Sequence, residues 1–248
     1  MTEPWNITTD DSRSENKLET FIIFCEDQND EPIYFRSFQD GKKVKVNCIP
    51  NQKQGKLNIL NTLKHCCDDG ILDYSDSGYK IKDGINKEIW CVYDRDLENT
   101  DFSKILETDN LDFTTSIHNA VNTGINVAWS NDSFELWVLL HFEEVICNGK
   151  IHREYIYERL TEIFSTFPDI QEAFTSSIAS GKFYYKTSLK KKEAFIRFVL
   201  PKLRERTDIA ISNAEALVLN FKSTTPYHDW NPCTMVHNLI LRIKLAYS

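Results

Sequence analysis

The chain has no apolar run approaching the ~20 residues that a helix needs to cross a bilayer, so no membrane partner is expected. It has no P-loop, no dinucleotide fingerprint and no nucleophilic Ser or Cys motif. Any ATPase activity would have to come from another chain. None of its seven Cys residues form a Cys-x-x-Cys pair, so neither a zinc site nor a redox motif is indicated. Cys25, Cys48 and Cys91 lie inside apolar strand patterns, where Cys acts as a small hydrophobe. Residues 1–17, MTEPWNITTDDSRSENK, are polar and acidic and lack an apolar core. They read as a flexible arm and not as a signal peptide. With an odd Cys count, this favours the reducing cytoplasm. No internal repeat is evident.

The rest of the composition is ordinary for a globular protein: 248 residues, 41% apolar and 27% charged. Net positive charge is also lacking. The total of −8 argues against a simple basic nucleic-acid binder, but it conceals an asymmetry. Residues 181–206 carry nine Lys/Arg against two Glu, and the remainder carries 20 basic and 35 acidic residues. A phosphate-binding surface is expected in that segment.

Two acidic motifs end buried-strand patterns. FIIFCED, residues 21–27, ends in Glu26 and Asp27, and IWCVYDRD, residues 89–96, ends in Asp94 and Asp96. Their β-branched, aromatic and Cys content suits strands covered on both faces. KVKVNCI (43–49) and INVAWS (125–130) read as further strands. Helices are expected after Glu31-Pro32 and over 57–67, 112–124 and 134–145, and residues 68–87 read as an irregular insertion or small hairpin. The order β-α-β-α-β-α-β-α predicts an α/β fold with a parallel sheet and right-handed crossovers. Beyond residue 150 strand signals stop, and 151–166, 189–206, 208–221 and 232–246 look helical. The expected organisation is an arm (1–17), an α/β domain (18–147) and a mainly helical C-terminal region (148–248).

Ligands of parallel α/β sheets bind beyond the carboxyl ends of the strands. Glu26, Asp94 and Asp96 would therefore meet there if their strands are neighbours. Three carboxylates at one spot repel unless a cation neutralises them, and oxygen-only ligands suit Mg²⁺ or Mn²⁺. Taken alone, such acids are equally surface groups or helix caps. Arg95 points away by strand alternation and reads as a salt-bridge partner. Glu31 either reaches the site or is a first-turn acid favoured by the helix dipole. Glu135, on an apolar helix, could orient the loop of Asp94 and Asp96, complete a metal shell or pair with a Lys. Ser130 and Asn131 could be active-edge residues or caps, and His141 reads as a packed, backbone-bonded histidine. Lys186 is a candidate phosphate contact. Lys190, Lys191 and Lys192 are candidates for a nucleic-acid backbone, with Phe183, Tyr184 and Tyr185 able to stack on bases. The competing reading of the lysines is a solvated helix face.

FCEDQNDEPIYF (24–35), IWCVYDRD and above all SNDSFELWVLLHF (130–142) resemble blocks of RloB-like proteins, and NPCTMVHNLI (231–240) resembles their C-terminal element. That family is similar to the Toprim domain of topoisomerases, primases and OLD-type nucleases. The resemblance implies a Toprim-like sheet with Mg²⁺ held by Glu26, Asp94 and Asp96. It also implies a nuclease effector of antiphage defence acting by abortive infection, similar to the PARIS and AbiL types. Such an effector would act on RNA such as tRNA, or on DNA, under the control of an ABC-type ATPase. Glu135 and Lys186 would assist catalysis. The chain departs from the family at Asp27 (Gly in the pattern), Asp30 (Thr) and Asp132 (Pro). Two alternatives remain: a non-catalytic binding or regulatory subunit, and a phosphoesterase acting on small nucleotides. Oligomeric state, including a homo-oligomer, is left open.

Overall fold

The computed structural model describes residues 18–50, 59–68, 70–76, 78–82 and 88–247. The expected arm and most of the loop after the second strand lie outside them. Four parallel strands form the sheet: β1 (Glu19–Cys25), β2 (Val44–Pro50), β5 (Ile89–Asp94) and β6 (Asn126–Asn131). β3 (Leu72–Ser75) and β4 (Gly78–Ile81) form the separate antiparallel hairpin foreseen as an insertion. With the short antiparallel β7 (Cys233–Thr234) beside β6, the strand order is β2-β1-β5-β6-β7.

The continuous apolar runs are explained by burial on both faces. Phe21, Ile23, Trp90, Val92 and Ala128 join one core, while Phe24, Ile89, Cys91 and Trp129 join the other. Successive side chains of a strand point to opposite faces, so each strand supplies both cores in alternation. Helices α1 (Asp30–Arg36), α4 (Glu135–Leu140) and α5 (Arg153–Ser165) cover the first face. Helices α2 (Ile59–Asp68) and α3 (Glu107–Asn122) cover the second. No helix among the described residues is long and apolar enough to cross a membrane.

β2 is an edge strand, and its outward backbone groups are occupied. Val44 N and Val46 N donate to Asp40 Oδ1 and Gln39 Oε1 at 3.0 and 3.1 Å, and Cys48 O accepts from Arg36 Nη2 at 2.8 Å. These side chains blunt an edge that could otherwise pair with another strand.

Three features depart from the sequence expectations. First, the C-terminal segment contributes a strand, β7 (Cys233–Thr234), antiparallel to β6; two residues are too few to give a periodic signal. Second, α4 stops at Leu140 because His141 N and Phe142 N bond three residues back, to Val138 O and Leu139 O, and tighten the turn. Third, the helix expected over 189–206 is broken. It widens into a π turn at Phe195–Val199 before Pro201, which has no N–H to donate. The C-terminal helices share the first core with the sheet, since Tyr185, Phe195, Leu203 and Ile240 belong to the same cluster as Phe21 and Trp137.

His141 is a packed histidine, as its apolar neighbours suggested. Its Nδ1 lies 2.8 Å from Trp137 O, an acceptor, so Nδ1 donates; Nε2 is then free to accept from Tyr34 Oη at 3.2 Å. Burial pushes the ring from 6.5 down to about 4. Because the folded value lies below the unfolded one, the contribution is complete above pH 6.5 and is lost as pH falls to about 4. The full effect is at most about 3 kcal/mol. His141→Gln, which cannot titrate, should therefore show a shallower loss of urea stability across this window than the wild type. Parallel profiles would mean that the folded ring is not held neutral.

Candidate active site at the carboxyl edge of the sheet

β1 and β5 are neighbours, with Ile22, Ile23 and Phe24 in register with Ile89, Trp90 and Cys91. The residues that follow them therefore emerge side by side. A cleft of about 360 Å³ opens there, lined by seven carboxyl groups: Glu26, Asp27, Asp30, Glu31, Asp94, Asp96 and Glu135. Ser133, Tyr157 and Lys190 are among its other walls, and Lys190 is the only cation lining it among the described residues.

Glu26 Oε2 accepts from Asp94 N at 3.1 Å, which ties the two strand ends together. Asp94 Oδ2 accepts from Phe134 N at 2.8 Å, but its buried Oδ1 has no hydrogen-bond partner. Burial, and then the charges of Glu31, Glu26, Asp96 and Glu135, push the Asp94 carboxyl well above the usual range. Burial and the neighbouring Asp27 and Glu26 do the same to Glu31. Glu31 also accepts from Asp27 N at 3.2 Å, so it is both a first-turn acid and a wall of the cleft.

Lys190 enters from the C-terminal half. Its Nζ pairs with Glu135 and reaches Asp30 at 3.3 Å and Asp27 at 3.5 Å. Burial alone would favour the neutral amine, but Glu135 and Asp30 outweigh it and raise the Lys190 pKa. Burial likewise pushes Glu135 up, and Lys190, with a bond from Ser133 Oγ at 2.7 Å, brings it below the usual range. Asp30 goes the other way. Burial raises it despite Lys190, and the neighbouring Asp27 charge adds to the rise.

The loop after β5 is held by Asp132. Its carbonyl accepts from Arg95 N and Asp96 N, and its carboxylate accepts from Leu97 N at 2.7 Å and from Arg153 N at 3.0 Å. Asp96 takes a left-handed conformation, φ 54°, which Asp tolerates better than most residues. Its carboxylate pairs with the Arg153 guanidinium.

Several expectations are corrected. Lys186 does not line the cleft: it is exposed, pairs with Glu154 at 3.3 Å and lies over the Tyr157 ring. Lys190 does not share a solvated face with Lys191 and Lys192, which are exposed, because it turns inward. Phe183 and Tyr185 are core residues, not exposed stacking platforms. Ser130 and Asn131 lie in a buried network with Thr234, Arg95 and Asn231. Arg95 does point away, but it bonds His228 O, Asn131 and Asn110 and makes no ion pair among the described residues. Arg153, Tyr157 and Ser133 were not foreseen. Arg153 lies 57 positions from Asp96, and no local pattern could link them.

The donor set suits a hard divalent cation: carboxylates only, an orphaned Asp94 oxygen and surplus negative charge. Among the described residues, however, no three His, Cys, Asp or Glu stand as a ready ion-holding group. Glu26 Oε2 is engaged by Asp94 N, and Asp96 by Arg153. Glu26, Asp94 and Asp96 are the residues that would hold the ion.

Fold and site together define an α/β protein with an acid-lined cleft at the carboxyl edge of a mostly parallel sheet. The family model of RloB-like proteins matches residues 21–243, and the chain belongs to that family. No curated protein and no solved structure matches it.

Lys190→Met should destabilise the fold by about 3 kcal/mol in chelator, because it strands Glu135 and Asp30 without their counter-charge. Adding Glu135→Gln should recover part of that loss. Urea melts of both single variants and the double variant give the coupling, and additive losses would show that the pair is not coupled.

Proposed function

We propose that this protein is a Toprim-type, metal-dependent nuclease that hydrolyses phosphodiester bonds in RNA such as tRNA, or in DNA, as the effector of an antiphage defence system. The observation that carries the reading is the unpartnered Asp94 Oδ1 in a cleft that Glu26 and Asp96 share. A divalent cation there would supply polarisation of a phosphoryl oxygen and a lowered pKa of bound water. Glu26, Asp94 and Asp96 would hold it. Lys190, fixed by Glu135, would present positive charge to the phosphate, the role that Lys186 was expected to play. Lys191 and Lys192 are exposed beyond it and could follow a nucleic-acid backbone. Resemblance to defence systems supports an ABC-type ATPase as the controlling partner, and a nuclease that harms its own cell needs such a gate.

A second reading is favoured by one observation. Lys190 and Arg153 pair with Glu135 and Asp96 and so neutralise part of the cleft from within the chain, as a non-catalytic binding subunit would require. The two readings part on cleavage of labelled tRNA and duplex DNA in Mg²⁺ or Mn²⁺, with and without an ATPase encoded beside the protein. The nuclease reading expects cleavage that falls by at least ~10³-fold in Glu26→Ala. No cleavage with either metal and the active partner present would leave the binding subunit.

A further inference from the structure

Asp96, of the Glu26, Asp94 and Asp96 set, is paired with a cation of the chain itself. That cation, Arg153, is the first residue of α5, and its backbone N–H is anchored to Asp132 Oδ2 at 3.0 Å. The start of the helix is therefore pinned while the guanidinium reaches back to the loop. We propose that Arg153 is a positioning residue that competes with a divalent cation for Asp96: it holds the carboxylate in the metal-free protein and is displaced from it when a cation binds. This rests on the reading of Glu26, Asp94 and Asp96 as cation ligands.

Two physical points favour exchange at Arg153 over exchange at Lys190. The first is exposure. The Arg153 and Asp96 side chains are 20% and 33% exposed, so water can solvate both when they part. Lys190 faces Glu135 and Asp30, each 2% exposed, and leaving would strand two buried carboxylates. The second is geometry. Asp96 lines the cleft together with Asp94 and Glu26, whose lengthwise positions are fixed by the β1–β5 register. Asp96 and Asp94 line the same cleft and are two residues apart at the end of one strand, so an exchange of partner at Asp96 is local to that loop. The released guanidinium would stay near the loop of Asp96, held there by the backbone bond to Asp132, and its planar set of N–H donors suits a phosphate oxygen.

The test is Mn²⁺ binding by isothermal titration calorimetry to the full chain, comparing wild type with Arg153→Met, Arg153→Lys and Asp96→Asn, each checked for folding by its urea midpoint. Competition predicts Mn²⁺ binding about tenfold tighter in Arg153→Met, since a charged competitor has been removed. Arg153→Lys, which keeps the charge, should stay near wild type, and Asp96→Asn should weaken binding. Arg153→Gln carries the same expectation as Arg153→Met if the latter fails to fold. Wild-type binding that is not tightened in Arg153→Met or Arg153→Gln overturns the proposal and leaves the cation site standing. No Mn²⁺ binding in any variant removes the cation site and the proposal with it.

Discussion

Charge surplus in one cleft is the constraint on which the rest of the structure turns. Among the described residues, seven carboxyl groups face a common space with one ammonium among them, and like charges at such spacing cannot all ionise unaided. The chain relieves this in three ways. Lys190 is drawn inward and kept charged against Glu135 and Asp30. Arg153 covers Asp96. Asp94, Glu31 and Asp30 are pushed toward the protonated form. The Asp94 Oδ1 that remains unpartnered is what these measures do not reach.

The C-terminal half is therefore not an appendage to a self-sufficient sheet. Among the described residues, the acids come from positions 26–135, and two cations that answer them come from positions 153 and 190. The same interdependence holds in the polar network behind the loop. Asn231 Nδ2 bonds Asn131 Oδ1 at 2.9 Å, and Asn131 in turn receives Arg95. Buried amides and guanidinium groups are costly when unpaired, so the element around Asn231, the block around Asn131 and the loop after β5 must be assembled together. β7, pairing with β6 beside them, fixes the same junction through the backbone.

Much of this was legible in the sequence because it follows from short-range rules. Runs such as FIIFC and IWCVY must be covered on both faces, which gives a parallel sheet and places Glu26, Asp94 and Asp96 on its carboxyl edge. The bland role of His141 followed from its apolar neighbours. What was not legible depends on long-range packing. A Lys in the run 190–192 gives no sign of which residue turns inward; Leu189 is buried and Lys191 exposed, so Lys190 sits at the boundary. Lys186 was the more conspicuous choice because it follows Phe183, Tyr184 and Tyr185. Yet Phe183 and Tyr185 anchor the segment in the core, and that anchoring leaves Lys186 outside. Arg153 carries no local signal at all.

Asp132 shows how an acid that does not line the cleft can hold its backbone in place. A proline at this position would contribute no side-chain acceptor. Asp132 contributes two, and both are used: one oxygen takes Leu97 N in the loop of Asp94 and Asp96, and the other takes Arg153 N at the start of α5. Because charged acceptors of backbone N–H groups make strong bonds, these two fix the distance between the loop that carries Asp96 and the helix that carries Arg153. A helix N-terminus also favours a negative charge, so the α5 start offsets part of the burial cost that pushes the Asp132 carboxyl above its usual range. The substitution adds an acid to an already acidic region, but it faces Leu97, His152 and Arg153 and does not line the cleft. Its charge is spent on holding the backbone of the site and not on the ligand set itself.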